Sequence, residues 1–430
     1  MHAVVIGGGL AGLSAALELS LNGCTVNLFE KKPIVGGLSR SISFGPFIYD
    51  IGPHVLHTDS NESISFFKTM LESSLQLLKI YSKTYISGKL HNFPPTITNL
   101  KYFPLPVAIK TLKNLIKNKF FRKIDHNSLD SFENLFDNDV FYNAYYKTFT
   151  RKFWGISPNL LETGWVQKRI FPRFFHSPLM GKRWQGYPKN GIGELPKRMA
   201  KLLMSKGVKI NLNCEVVAYL IKDNVVKSVS VCTPGIGMND VQCDILITTQ
   251  ALPDIITMLG YENMPQLKYR SLIYVFITLL KENVLKDIHS VYFPDSITVF
   301  TRIYEPKRYS LNCSPEDKSS LVVEIPCSYG EGLWGEEDQK IISIVINQLI
   351  DHNIIKLEDV GDCVVQKEKY AYPLPSHVNK RNVVHSLNNI NLQNMEVCGR
   401  FGLFSYLNMD ESIQSGRSAA KRIFRRYSNR

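Results

Sequence analysis

The residues best suited to chemistry open the chain: Gly7-Gly8-Gly9-Leu10-Ala11-Gly12, answered 18 residues after Gly12 by Glu30. In a G-x-G-x-x-G turn the first glycine permits a sharp bend, the second lets a pyrophosphate approach the backbone, and the third lets a helix pack on a strand. The helix that follows presents its N-terminus to the phosphates. A carboxylate about 20 residues further on can accept hydrogen bonds from a ribose. The surroundings agree. Ala3-Val4-Val5-Ile6 reads as a buried strand, residues 11–21 as a helix with apolar positions at helical spacing that Gly23 ends, and 25–29 as a second strand finishing at Glu30. The alternative, a glycine-rich turn with a solvent-facing glutamate, leaves that context unexplained.

These elements sit in a chain of 430 residues, long enough for two or three domains. With 44% apolar and 21% charged residues it is an ordinary globular composition, which excludes a disordered or collagen-like chain. The net charge of +13 attracts anions, without choosing among phosphates, acidic lipid and nucleic acid. Eight cysteines lie scattered with no C-x-x-C pair, so neither a zinc site nor a disulfide framework is indicated, and a reducing cytoplasm is the simplest compartment. No apolar run is long enough to span a bilayer; any membrane contact is expected to be peripheral.

Further along, 61–80 reads as helical, and 101–123 is a basic amphipathic stretch with seven cations and no acid. It is either a solvated helical face or a surface for a membrane or partner. From 130 to 205 the pattern is largely helical. Lys209–Leu212, Val225–Val231 and Asp244–Thr248 then read as strands, the last as a buried parallel one. Residues 270–330 alternate short apolar runs with turns (272–280, 290–293, 298–303, 321–325), the mark of an antiparallel sheet. Met395–Cys398 leads through Gly399 into a closing helix over 410–426. The expected architecture is α/β: a Rossmann-like dinucleotide-binding domain in three parts (1–85, 191–260, 366–430), interleaved with a mainly helical substrate domain (86–190) and an antiparallel-sheet substrate domain (261–365).

The run Lys31-Lys32-Pro33-Ile34-Val35-Gly36-Gly37-Leu38-Ser39-Arg40 resembles the second FAD fingerprint of the amine oxidase and protoporphyrinogen oxidase superfamily. Glu215-Val216 and Glu396-Val397-Cys398-Gly399-Arg400 resemble its adenine-contacting and flavin-contacting segments. Within that superfamily the chain resembles the pyranose–furanose mutases of sugar nucleotides, the UDP-galactopyranose and dTDP-fucopyranose mutases. The islands are Gly52-Pro53-His54-Val55-Leu56-His57-Thr58, Arg169 to Phe174, Trp184-Gln185-Gly186-Tyr187-Pro188, Tyr269 to Leu272, Thr301 to Lys307, Tyr372-Pro373 and Tyr406-Leu407-Asn408-Met409-Asp410, where Asn408 replaces the family's Asp.

The resemblance implies FAD held by Gly7, Gly9, Leu10, Ala11, Gly12, Glu30, Lys31, Gly37, Leu38, Arg40, His54, Val216, Gly399, Arg400, Asn408, Met409 and Asp410. It implies a nucleotide-diphosphate sugar bound by Tyr145, Phe149, Trp154, Arg173, Trp184, Arg302, Tyr372, Tyr406 and Asn408. N5 of reduced FAD would attack the anomeric carbon, with Arg173 and Arg302 as a guanidinium clamp on the departing diphosphate and His57 beside the flavin. The product would serve surface-polysaccharide synthesis. An external reductant such as NAD(P)H or a reductase, and a possible homo-oligomer, are also implied; nucleic acid, a metal and an integral membrane anchor are not. His54 and His57 are equally readable as packing histidines, the tyrosines as core aromatics, and Tyr145, Phe149 and Trp154 as a packing stripe. A flavin oxidase or desaturase shares the FAD residues but gives two arginines no partner. A flavin-binding interaction protein would instead salt-bridge each arginine to a core carboxylate. Purified protein should carry one equivalent of non-covalent FAD, and Gly9→Leu should abolish it by obstructing the pyrophosphate, as read by flavin absorbance.

Overall fold

The computed structural model describes residues 1–120, 140–162, 184–261 and 266–428. Two sheets organise them, and alternate residues of each feed different cores. The first is a five-stranded sheet, parallel throughout, in the order Lys209–Leu212, Thr25–Glu30, His2–Ile6, Ile245–Thr248, Met395–Val397. Successive side chains of a strand point to opposite faces. Ala3, Val5, Leu28, Ile245 and Ile247 accordingly join the apolar side chains of the helices Leu10–Leu21, Glu194–Ser205 and Met409–Ser428. Val4, Ile6, Phe29 and Leu246 join those of a small antiparallel sheet, Glu215–Lys222, Val225–Thr233 and Gly237–Gln242. Strands covered on both faces must be continuously apolar, which is why 3–6 and 245–248 are readable from sequence.

The second sheet has seven strands in the order Val360–Pro373, Tyr269–Leu279, Ser319–Cys327, Arg302–Tyr304, Ser290–Tyr292, Ser82–Ile86, Lys89–Phe93. Its pairs are antiparallel except Ser290–Tyr292 against Ser82–Ile86. Ile273, Val275, Ile277 and Val323 pack with the helix Asp338–Asp351. Leu272, Tyr274, Phe276 and Val322 face the other way, into the core shared with the parallel sheet, where Phe276 stacks on Tyr49 at 4.7 Å. The helical run Val140–Trp154 completes the wall of the cleft between the sheets, and the helix Leu105–Phe120 stands outside that lining.

Three expectations change. The helix expected over 61–80 ends at Leu71; Glu72 takes φ +47, and Leu75–Leu77 becomes an edge strand on Trp184–Pro188. Trp184–Pro188 is itself a strand within a stretch read as largely helical, its Gly186 and Pro188 being poor helix formers. The divisions expected at 85/86 and 365/366 fall inside the strands Ser82–Ile86 and Val360–Pro373, because the antiparallel sheet recruits segments from both sides of the helical stretch.

The closing helix crosses the first helix at backbone contact: a Cβ on Gly416 would lie 2.0 Å from the Ala11 carbonyl oxygen. Gly416→Val should therefore destabilise the fold despite the poor helix propensity of glycine, by about 1–3 kcal/mol. A lower urea midpoint with reduced flavin retention is the expected reading, and an unchanged midpoint would count against this packing.

Candidate active site

The two glycine turns are pressed together. Gly36 N donates to Gly8 O at 2.8 Å, and a Cβ on Gly37 would sit 3.3 Å from the Gly9 Cα. Gly7 takes φ +100, where a Cβ would strike Thr249 Oγ1, and a Cβ on Gly12 would lie 1.9 Å from Gly7 O, so neither tolerates a side chain. Gly9 is different: its Cβ would meet only Gly37 at 3.9 Å, and the space above it belongs to the cleft. That open backbone is what a pyrophosphate requires. Glu30, 7% exposed, accepts from Gly8 N at 2.6 Å and Lys32 N at 2.9 Å while its carboxylate lines the cleft. The cleft is lined by Leu10, Ala11, Lys31, Leu38, Val216, Gly399, Arg400, Asn408 and Met409 as well, and encloses about 1010 Å³. Lys31 pairs with Glu215 at 3.5 Å, and the Val216 carbonyl accepts from Gln250 Nε2 at 3.0 Å. The closing helix turns its N-terminal, partly positive end toward the cleft through Met409 and Ser412. Asp410 lies on its first turn but outside the lining, as does Gly12 on the first turn of the helix Leu10–Leu21.

Arg40 is buried and answered by a residue the sequence reading missed. Its Nη1 donates to Gly37 O at 2.6 Å and its Nη2 to Glu368, which also accepts from Lys32 Nζ at 2.7 and 2.9 Å. Burial opposes the charge on Glu368, yet Arg40 and Lys32 together hold its carboxyl below the usual range.

Arg302 occupies the other end. In the sheet Tyr292, Arg302, Glu324 and Tyr274 lie directly opposite one another on four adjacent strands. The guanidinium is fully engaged on one side: Nε donates to Glu324 Oε2 at 2.7 Å, Nη2 to Oε1 at 2.8 Å, and Nη1 to the Tyr292 hydroxyl at 3.0 Å. Three of the five N–H groups of the guanidinium are thereby spent, and two are left. His54 lies near both Arg302 and Arg400. Burial first, then these two cations, lower its pKa to about 3, so it is neutral at working pH. His57 lines the same wall, its Nδ1 3.0 Å from the Val55 carbonyl. Among the described residues no three His, Cys, Asp or Glu side chains group as metal ligands.

Tyr372 and Tyr406 stack at 5.4 Å and 7°, with the Arg400 guanidinium 5.6 and 5.1 Å from their rings. Arg400 fixes this corner by donating twice to Leu407 O, at 3.0 and 2.6 Å. Tyr145, Phe149 and Trp154 all reach the cleft from the helical run, but the Tyr145 hydroxyl is held by His91 and Asn99. Trp184 does not reach it. Its strand pairs Trp184 with Thr58, and its ring stacks on Phe67 at 6.0 Å, making it a packing aromatic. Arg173 lies outside the described residues. Sequence reasoning also missed Tyr292 and Phe93, whose rings stack at 3.7 Å in the cleft wall; the sole signal was aromatic character at two strand ends.

The model of the flavin-containing amine oxidoreductase family matches residues 10–424. The chain is 23% identical over 203 residues to "Probable UDP-galactopyranose mutase" of Klebsiella pneumoniae, covering 46% of this chain and 52%, about half, of that one. It is also 23% identical over 412 residues to a 4,4'-diapophytoene desaturase (4,4'-diapolycopene-forming) of Methylomonas sp, covering 81% of this chain and 78% of the desaturase. Among solved structures, reduced UDP-galactopyranose mutase superposes with a TM-score of 0.79 at 22% identity, over 98% of this chain and 95% of that chain. A protein named for protoporphyrinogen oxidase, from Exiguobacterium sp. 255-15, gives 0.78 at 14% identity over 98% of each chain. At such identities both likenesses show the fold. The matched stretch takes in both walls of the cleft, so the chain belongs to the flavin-containing amine oxidoreductase family, with FAD as its cofactor.

Proposed function

We propose that this flavoenzyme interconverts the pyranose and furanose forms of a nucleotide-diphosphate sugar, of the dTDP-fucopyranose or UDP-galactopyranose kind, to supply surface-polysaccharide precursors. The observation that carries the reading is Arg302, a mostly buried cation on the cleft wall that shares the cleft with the stacked Tyr372 and Tyr406. An apolar substrate offers no acceptor to the two N–H groups that Arg302 does not spend on Glu324 and Tyr292. Reduced FAD would supply the nucleophile for the anomeric carbon. The two remaining N–H groups of Arg302 stabilise the charge that develops on the diphosphate. Burial raises the pKa of Tyr372, keeping its hydroxyl a neutral donor. Phe149 and Trp154 offer flat faces for a pyrimidine, with Tyr292 beside Phe149 at 6.2 Å. Arg173 remains the proposed second cation and His57 a proposed flavin neighbour; the reductant would be external, NAD(P)H or a reductase, and the protein would act in the cytoplasm, with a homo-oligomer compatible.

The desaturase relative, matched over more of the chain than the mutase relative, favours a second reading in which the flavin oxidises an apolar substrate. Stoichiometry separates them. Dithionite-reduced enzyme supplied with UDP-galactopyranose or dTDP-fucopyranose should yield a new isomer over many turnovers with no net reductant consumed; product that tracks reductant or oxygen one for one would establish the oxidase.

Arg302→Ala strands Glu324 as an unpaired buried carboxylate, so its loss of activity could reflect misfolding. Arg302→Lys is the cleaner variant. It keeps the charge but loses the planar guanidinium, and should lower kcat/KM by about 30-fold or more, a loss of about 2 kcal/mol at a desolvated charged contact. FAD content should stay normal. Wild-type turnover in Arg302→Lys would remove Arg302 from the diphosphate site.

A further inference from the structure

The surface formed by the turn Ile97–Tyr102 and the helix Leu105–Phe120 follows directly on Phe93, Pro94 and Pro95, which line the cleft, but takes no part in it. Its charge is one-sided: residues 97–120 hold five lysines and no aspartate or glutamate. At 3.6 residues per turn, Thr111 is buried and Ala108 and Leu112 pack on the core. The outward side carries two rows side by side. One is Leu105, Ile109 and Ile116, between 40% and 72% exposed; the other is Lys110, Lys113 and Lys117, all exposed. The preceding turn adds exposed Ile97 and Tyr102, with the Lys101 ammonium 5.1 Å from the Tyr102 ring centroid.

A helix face kept merely in water carries charges of both signs and no apolar row. An apolar row beside a lysine row suits a helix lying in the interface of an anionic bilayer, where the apolar side chains enter the acyl boundary and the lysine stems reach back to the headgroups. A second copy of this face would bring lysines against lysines, which charge complementarity forbids. We propose that this face docks the protein peripherally on an anionic lipid surface. No helix among the described residues is long and apolar enough to cross a membrane, so the attachment is to one leaflet. The proposal stands whichever substrate the cleft takes.

Flotation of the FAD-loaded full chain tests it, using phosphatidylcholine vesicles with or without phosphatidylglycerol as the minor lipid. Binding should require phosphatidylglycerol and weaken as salt shortens the Debye length. Replacing Lys110, Lys113 and Lys117 together by Gln should lower partitioning on the order of a hundredfold. Replacing Leu105, Ile109 and Ile116 together by Ser should also release the protein, with flavin content unchanged in both variants because all six positions are exposed. Three outcomes would overturn the proposal: no binding to either vesicle, equal binding to both, or binding that survives both triple variants. Binding to soluble polyglutamate with none to vesicles would also overturn it and assign the face to an acidic protein.

Discussion

Glu368 sits in the antiparallel sheet, yet its carboxylate is buried against Arg40 and Lys32 from the other side of the cleft. Removing one member of a buried charge set leaves the rest uncompensated, at a cost of about 3–5 kcal/mol. The three therefore tie together segments more than 300 residues apart in sequence. The tie reaches further than the ion pair. Arg40 also holds the Gly37 carbonyl, and Gly37 lies against Gly9, so the floor of the phosphate cradle is positioned by the same contact. Four residues beyond Glu368 the same strand presents Tyr372, so the cradle and the tyrosine corner are set relative to one another through one strand.

A similar logic governs the far end of the cleft. Glu324, 1% exposed, needs Arg302, and strand register places them directly opposite each other with Tyr292 on the next strand. The pairing makes Arg302 rigid and restricts what it offers to two N–H groups. It also meets half of what an interaction protein without turnover predicts for its arginines, which is why catalysis and not cofactor content is the property that distinguishes the readings. Between the two anchored ends, the cleft is the space left where both sheets turn one set of alternating residues toward each other.

Much of the nucleotide-binding half is legible in the chain because its constraints are local. A turn that admits only glycine, a strand buried on both faces and a closing helix with a basic tail are each written in consecutive residues. Gly7, Gly9, Gly12 and Glu30 fall where their spacing places them. The antiparallel sheet is legible as strands, but which strands are neighbours is not, since the order runs from 360–373 through 269–279 to 82–93. Trp184 was misplaced for the same reason. An aromatic in a motif-like run carries no mark of which face of its strand it will occupy, and pairing with Thr58 turned it onto Phe67.

The amino-acid order thus determined the βαβ opening, the glycine cradle, the apolar strands and the basic helix, because steric and hydrophobic demands on neighbouring residues act over a few positions. Tertiary structure alone decided that Glu368 answers Arg40, that Glu324 takes up the fork of Arg302, and that Phe93 and Tyr292 stack in the cleft wall. A buried charge must find a partner, but nothing in its own segment specifies which distant strand will bring one. That choice is made by sheet register, in which a shift of a single residue would turn Glu368, Glu324, Arg302, Phe93 or Tyr292 to the opposite face.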